Sequence, residues 1–325
     1  MGKFLIITDG KAGHENQSKA FCRALGYDYE LLKVEYRSPA IKGLAYFFDR
    51  LGIKTGCVFN SGPLPNADGI AAVVCTGSTA FYPGKVIARR LGVPVAAILY
   101  PKGYRLDFDC ILAPEFDRPA PRPNLVSVPV NLTVPDPAFY ENGVRQFRER
   151  FPQGWDKDGK VKPAIGVIVG GPNGFAEMTV KQMKPLLDSL FAATPGQEHW
   201  VTTSRRTPPE VESLIAGYPF EYQLLFSQDH FNPIPAFVSL CERLFVTADS
   251  TGMISEAVTC GHSQVEVLMN LKDGASKFAR FVNDLERRNA VHVFDGKLGY
   301  ADNKVNLTTV FDKARVLLFG TAGRK

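Results

Sequence analysis

The stretch Phe245-Val246-Thr247-Ala248-Asp249-Ser250-Thr251-Gly252-Met253-Ile254-Ser255-Glu256-Ala257 decides how the rest of the chain is read. An apolar run ends in small polar residues, and a helical pattern then carries a carboxylate less than two turns further on. Backbone N–H groups at a helix start lack intrahelical partners and sit at the positive end of the helix dipole. Ser250 and Thr251 are therefore placed to meet a phosphate, and Glu256 to accept hydrogen bonds from a ribose. The same residues also fit a plainer role, in which Asp249 or Ser250 caps a helix.

Working outward, residues 164–169 form an apolar run followed by Gly170-Gly171-Pro172-Asn173-Gly174-Phe175. Glycine spacing this dense brings bare backbone close to whatever lies beside it, although a wide turn would use it too. Helical patterns over 179–193, 208–216, 276–288 and 306–319 alternate with strand patterns over 199–203, 222–226, 244–247 and 265–269. Thr207 reads as the N-cap before Pro208. Thr202-Thr203-Ser204-Arg205-Arg206 puts two guanidinium groups at a strand end, where their planar donors match phosphate oxygens.

The first half repeats the pattern. Strand signals at 4–8, 29–34, 69–75, 94–99, 110–113 and 125–128 alternate with helices expected over 16–25 and 78–91, closed by Gly26 and Gly92. Residues 36–54 read as a loop with an apolar patch at Phe47 and Phe48 beside Arg50 and Lys54. That composition suits contact with a membrane or a lipid-linked acceptor, and equally an ordinary core helix. Val- and Ile-rich strands alternating with helices point to parallel sheets covered on both faces. Pro135, Pro137, Pro152 and Pro163 punctuate a charged stretch that reads as the connection between halves.

After the first strand comes Thr8-Asp9-Gly10-Lys11-Ala12-Gly13-His14-Glu15-Asn16-Gln17-Ser18. A histidine side chain can take up a proton under physiological conditions, so His14 suits removing one from a hydroxyl nucleophile, or else it braces the helix. Asp9 and Glu15 are alternative bases. Thr76-Gly77-Ser78-Thr79 reads as a second strand-to-helix turn, with Ser78 or Thr79 as N-cap. The chain has neither GxGxxG nor a Walker-type GxxxxGK followed by Ser or Thr, which leaves NAD and P-loop readings little support. Asp107-Phe108-Asp109 has DxD spacing but runs into a strand, so Asp107 and Asp109 read as structural and no metal site is marked. One half thus offers a base and the other glycine loops, arginines and a Ser-Thr…Glu helix. That division suits sugar transfer, in which arginines and helix N-termini offset the charge of a diphosphate leaving group without a metal.

Composition is compatible with this reading. The chain has 325 residues, 45% hydrophobic and 22% charged, and a net charge of +5 without any block of like charges that would suggest nucleic acid. The six cysteines, Cys22, Cys57, Cys75, Cys110, Cys241 and Cys260, form no CxxC pair, so a reducing cytoplasm is expected. Neither a signal peptide nor a run of about 20 apolar residues is evident.

The segments Thr8 to Gln17, Gly170 to Asn173, Thr203 to Pro208 and Val246 to Ala257 together resemble the Elm-type mitochondrial fission family, a mostly bacterial group named after a plant member. More distantly the chain is similar to GT-B glycosyltransferases such as the peptidoglycan enzyme MurG. That likeness implies Gly13-His14 as the acceptor loop, Gly170 to Gly174 as the donor loop, and Ser250 to Glu256 as the phosphate and ribose helix. The chain departs in its sparser first glycine loop, and in His262-Ser263-Gln264, where Lys-Pro or Leu-Pro would be expected.

The expected architecture is α/β and GT-B-like, with two Rossmann-like domains whose parallel sheets face a central cleft. Residues 1–145 would be the acceptor side and 146–325 the nucleotide-sugar side, the last helix being free to cross back. The expected activity is metal-independent, inverting transfer from a nucleotide sugar, with a UDP-linked donor as the example, to an unknown acceptor, with no cofactor and no nucleic-acid partner. His14 would be the base. Gly170, Gly171, Asn173, Arg205, Arg206, Ser250, Thr251 and Glu256 would hold the donor. Asp9, Gly10, Gly13, Glu15, Asn16, Gly77 and Ser78 would line the acceptor side. The expected location is the cytoplasm, with peripheral contact at the inner face of the membrane. A nucleotide-sugar epimerase of the same fold, and a non-catalytic scaffold of the fission type, are the alternatives.

Overall fold

Strand runs buried on both faces set the frame, because a parallel strand covered by helices on either side has no solvated face to spend on polar residues. The computed structural model describes residues 2–133 and 136–320, so Pro135, read above as part of the connection, lies outside them. The chain divides into Met1–Val134 with Asn306–Lys325, and Pro135–Val305.

The first unit holds β1 (Lys3–Thr8), α1 (Ala12–Ala24), β2 (Tyr29–Tyr36), α2 (Pro39–Arg50), β3 (Phe59–Ser61), β4 (Ile70–Thr76), α3 (Phe81–Leu91), β5 (Val95–Ile98), β6 (Cys110–Pro114) and β7 (Leu125–Val128). The strand order is β3-β2-β1-β4-β5-β6-β7. Every neighbouring pair is parallel except β2 and the edge strand β3, which the expectation of a purely parallel sheet missed. Alternate strand residues Leu5, Ile7, Val73 and Cys75 pack with Phe81, Tyr82, Val86 and Ile87 of α3 in one core.

In the second unit are α4 (Pro137–Arg150), β8 (Ala164–Val169), α5 (Val180–Ala193), β9 (Glu198–Thr203), α6 (Pro209–Ala216), β10 (Tyr222–Leu224), α7 (Ile234–Leu240), β11 (Arg243–Thr247), α8 (Thr251–Thr259), β12 (Gln264–Leu268), α9 (Lys277–Arg287) and β13 (His292–Val293). Its strands run β10-β9-β8-β11-β12-β13, all parallel. Numbered within the unit this is 3-2-1-4-5-6, the doubly wound dinucleotide-fold order. The final helix, α10 (Thr308–Phe319), belongs to the first unit. There the Phe319 ring lies 5.6 Å from that of Tyr27 and 6.1 Å from that of Phe4.

Several expectations change. The stretch 36–54 is largely helical: Ser38 caps α2 by accepting from the Ile41 N–H at 3.3 Å, and Pro39 occupies the first turn. Helix α1 starts four residues before the expected 16, which puts His14 in its first turn rather than in a loop. Within the connection, Asp136 and Pro137 start α4, a helix that a boundary at 145/146 would cut. The helix after β4 begins at Phe81, and neither Ser78 nor Thr79 caps it. Nor does Thr207 cap α6; its hydroxyl donates instead to the Gly170 carbonyl at 2.5 Å.

Candidate functional site

In an open parallel sheet, ligands bind outside the carboxyl ends of the strands, where the strand order reverses and adjacent loops diverge. In the second unit that place lies between β8 and β11. The loops leaving these strands are Gly170 to Gly174 and Ala248 to Ser250, two of the segments singled out in the sequence.

Asp249 ties them together. Its side chain is fully buried, and its Oδ2 accepts from the Gly171 N–H at 2.9 Å and from Arg206 Nη2 at 2.9 Å. Oδ1 accepts from Asn270 Nδ2 at 3.1 Å. The Gly170 N–H donates to Thr247 Oγ1 at 2.8 Å, and Asn173 Nδ2 donates to the Asp249 carbonyl at 3.2 Å. Glycine is required at both positions: a Cβ on Gly170 would stand 2.2 Å from Asp249 Oδ2, and one on Gly171 2.2 Å from the Arg206 carbonyl oxygen.

This bears on one reading and changes another. Arg206 is committed to the scaffold, since its Nη1 also donates to the Gly171 carbonyl at 2.7 Å. Asp249 is a buried brace and does not cap α8. Ser250 occupies the N-cap position, yet its side chain makes no capping bond. Among the described residues the N–H groups of Gly252 and Met253 meet no acceptor, so the first turn of α8 presents bare donors. Thr251 is its first residue. Arg205 is exposed beside the loop and forms neither a hydrogen bond nor an ion pair among the described residues.

Glu256 lies on α8 and accepts from the Tyr140 hydroxyl of α4 at 2.8 Å. Burial pushes its carboxyl above the usual range, and the tyrosine bond opposes this only in part. The sequence reading missed Tyr140 because its helix was taken for connection, although Asp136-Pro137 is an N-cap followed by a first-turn proline. Asn270 was missed too, for want of any local signal. Further along α8, Lys304 Nζ donates to the carbonyls of Ala257 at 3.0 Å and Ser263 at 2.6 Å. Burial lowers that ammonium to about 8.

In the first unit the order reverses between β1 and β4, and there the structure brings together the loops expected on the acceptor side. His14 Nδ1 lies 3.1 Å from Asp9 Oδ1. The Asp9 side chain is only 6% exposed and also pairs with Lys11 at 3.1 Å. Burial alone would raise the Asp9 carboxyl, but Lys11 and His14 outweigh it and hold the group below its usual value. The His14 ring lies against the bare backbone of Gly77, where a Cβ would stand 2.4 Å from it and where φ is +83°. With Nδ1 on Asp9, Nε2 is left for a further partner, the arrangement by which a carboxylate orients a histidine base.

The remaining predicted residues divide. Gly10, at φ +79°, turns the chain after β1, its N–H donating to Thr8 Oγ1 at 2.9 Å. Glu15 accepts from Thr8 Oγ1 at 2.8 Å and pairs with Lys19 at 3.2 Å; the Thr8 bond first, then Lys19, lowers its carboxyl. It is thereby occupied and a poorer base than His14. Gly13 and Asn16 are exposed on α1. Ser78 Oγ and Thr79 Oγ1 accept from Lys42 Nζ at 3.0 and 3.2 Å. Asp107 pairs with Lys85 and Lys54, and Asp109 Oδ2 accepts from the Val95 N–H at 2.7 Å.

A family model described as Mitochondrial fission ELM1 matches residues 12–316. No curated protein matches the sequence. Among solved structures, MurG of Acinetobacter baumannii is 13% identical with a TM-score of 0.44, over 96% of this chain and 89% of that one. The Methanocaldococcus jannaschii UDP-GlcNAc 2-epimerase, solved with UDP-GlcNAc and UDP, is 11% identical with a TM-score of 0.49, over 99% and 97%. A glycosyl transferase family 9 protein of Veillonella parvula is 9% identical with a TM-score of 0.45, over 85% and 83%.

Proposed function

The chain belongs to the mitochondrial fission ELM1 family, and we propose that this member is a GT-B-like, metal-independent glycosyltransferase whose second unit holds a nucleotide sugar and whose first unit activates the acceptor hydroxyl. One observation carries the reading: in each unit most of the candidate residues lie on the loops and first helical turns that follow the two strands of that sheet's own switch point. In the second unit the Gly252 and Met253 N–H groups of α8 and the Arg205 guanidinium bind the donor diphosphate, as backbone donors and a planar cation both suit phosphate oxygens. Glu256 accepts from the ribose hydroxyls, with Tyr140 fixing its rotamer. In the first unit His14 removes the hydroxyl proton through Nε2 while Asp9 stabilises the imidazolium that forms. The activated oxygen attacks the anomeric carbon as the glycosidic bond to the diphosphate breaks. This inverts the centre, and positive donors offset the charge of the departing diphosphate.

The test is a thermal-shift and calorimetric screen of nucleotide sugars against wild type, Arg205→Ala and Glu256→Ala. The reading expects a stabilising donor whose affinity falls about tenfold or more in each variant. Binding unchanged by both substitutions overturns the donor site. Conversion of the bound nucleotide sugar with no acceptor present would replace transfer by epimerisation. An absence of any nucleotide effect, with a protein partner co-purifying, would replace catalysis by scaffolding.

A further inference from the structure

Helix α2 has a settled inner face. Ala45 and Asp49 are buried, and the Tyr46 ring stacks 4.1 Å from that of Tyr104. Its outer face is apolar: Leu44 is 37% exposed, Phe47 55%, Leu51 58%, and Ile53 just beyond 43%. Leu44, Phe47 and Leu51 stand at i, i+3 and i+7, and so share one side of the helix and the turn that follows it. Of the eleven exposed large hydrophobics among the described residues, four fall within this ten-residue stretch, which random surface scatter does not explain.

Within the segment that carries this face the exposed charges have one sign. Between residues 36 and 67 the only carboxylate is Asp49, which is fully buried under Lys85 and Lys54. The same stretch exposes Arg37 and Arg50, with Lys42 half-buried between them, while at the end of the helix Arg105 and Lys54 are paired with the exposed Asp107. A two-fold contact with a second copy would set these cations against themselves. An anionic lipid surface complements them and also accepts leucine and phenylalanine at the acyl boundary. No helix among the described residues is long and apolar enough to cross a membrane, so the contact is a surface one.

We propose that the Leu44-Phe47-Leu51-Ile53 face of α2, with its basic surround, docks the first unit on an anionic membrane surface. Lys42 in the same helix donates to Ser78 and Thr79 of the loop after β4, so the docking helix is hydrogen-bonded to the acceptor-side loop. It follows that the acceptor is drawn from the lipid surface, a consequence that rests on the transferase reading, whereas the docking itself does not.

The experiment is co-sedimentation of the full chain with vesicles of phosphatidylglycerol mixed into phosphatidylcholine, and with phosphatidylcholine alone. Wild type partitions to the anionic vesicles and is released by salt. Phe47→Ser/Leu51→Ser and, separately, Arg50→Glu each weaken partition about tenfold or more. Their circular-dichroism melts match wild type, because the altered side chains point outward. No partition of wild type at low salt, or variants that bind as well as it does, overturns the proposal. So does a wild-type dimer in analytical ultracentrifugation that the double substitution disperses. Running the nucleotide-sugar screen on the same variants separates the two readings: vesicle binding without any donor binding leaves the docking surface and removes the transferase.

Discussion

Replacing Asp249 by asparagine tests the proposed scaffold of the donor site with almost no change in shape. The carboxylate uses both oxygens, Oδ2 on the Gly171 N–H and Arg206 Nη2, each at 2.9 Å, and Oδ1 on Asn270 Nδ2 at 3.1 Å. An amide has one oxygen. If it serves Gly171 and Arg206, the new NH₂ faces the NH₂ of Asn270. Asn270 cannot turn to relieve the clash, because its Oδ1 accepts from the Asp249 N–H at 3.2 Å and its Nδ2 also donates to the Glu177 carbonyl at 3.2 Å. One buried donor is left unsatisfied, at a cost of about 1–3 kcal/mol. The Gly171 bond becomes neutral and the Arg206 bond keeps charge only on its guanidinium side, together costing about 1 kcal/mol more. The Arg206 share of that is discounted because its side chain is 40% exposed. A total of about 2–4 kcal/mol corresponds to a fall of roughly 5–15 °C in the melting of the second unit. The assay is thermal unfolding of wild type, Asp249→Asn, Arg206→Met and the double variant, whose cycle should return a coupling of about 0.5–1 kcal/mol. A loss below about 0.5 kcal/mol for Asp249→Asn would refute the argument that this carboxylate holds the glycine loop.

Three further outcomes follow from the titrating groups. Asp9 is held below its usual value when folded, so the stability it contributes is present above its unfolded value of about 4 and is lost as pH falls through the folded one. Asp9→Asn should lack that acid-side loss in a pH series of urea melts, and should slow turnover about tenfold or more by freeing the His14 ring. Glu256 is raised when folded, so the folded state holds its proton longer and stability declines as pH rises from about 4 through the folded value. Glu256→Gln should therefore be at least as stable as wild type at neutral pH while binding the nucleotide more weakly; a less stable variant would contradict the burial penalty. Lys304 is lowered to about 8, so the unfolded chain keeps that proton to higher pH and stability should climb between pH 8 and the usual lysine value. Lys304→Met should flatten that climb in thermal melts across the alkaline range.

The strand at Ala164–Val169 was legible to the residue, because six consecutive apolar residues bounded by Pro163 and Gly170 admit little else. Helix α5 was nearly so, its start marked by the Thr179/Gln182 capping box. Helices α2 and α4 were not, although each starts with a capping side chain and a proline, because Gly43 and Gly143 and the exposed aromatics blur the apolar periodicity on which helix reading depends. For the candidate site, the Gly170–Gly171, Ser250 and His14 segments were picked out by their place after strands. Which side chains in them remain free to act was not legible.

That division has a physical basis. Short-range sterics and capping chemistry act over a few residues, so the sequence alone determined most of the alternation of strands and helices, the two glycine-bearing turns and the class of sheet. Tertiary structure decided the partners. It assigned Arg206 to Asp249 and left Arg205 without a partner among the described residues, although the two are adjacent and chemically identical. It also set Tyr140 against Glu256 across 116 positions, and His14 against Gly77. A buried polar group must find its partner wherever the fold brings one within about 3 Å, and chain separation carries no record of that distance.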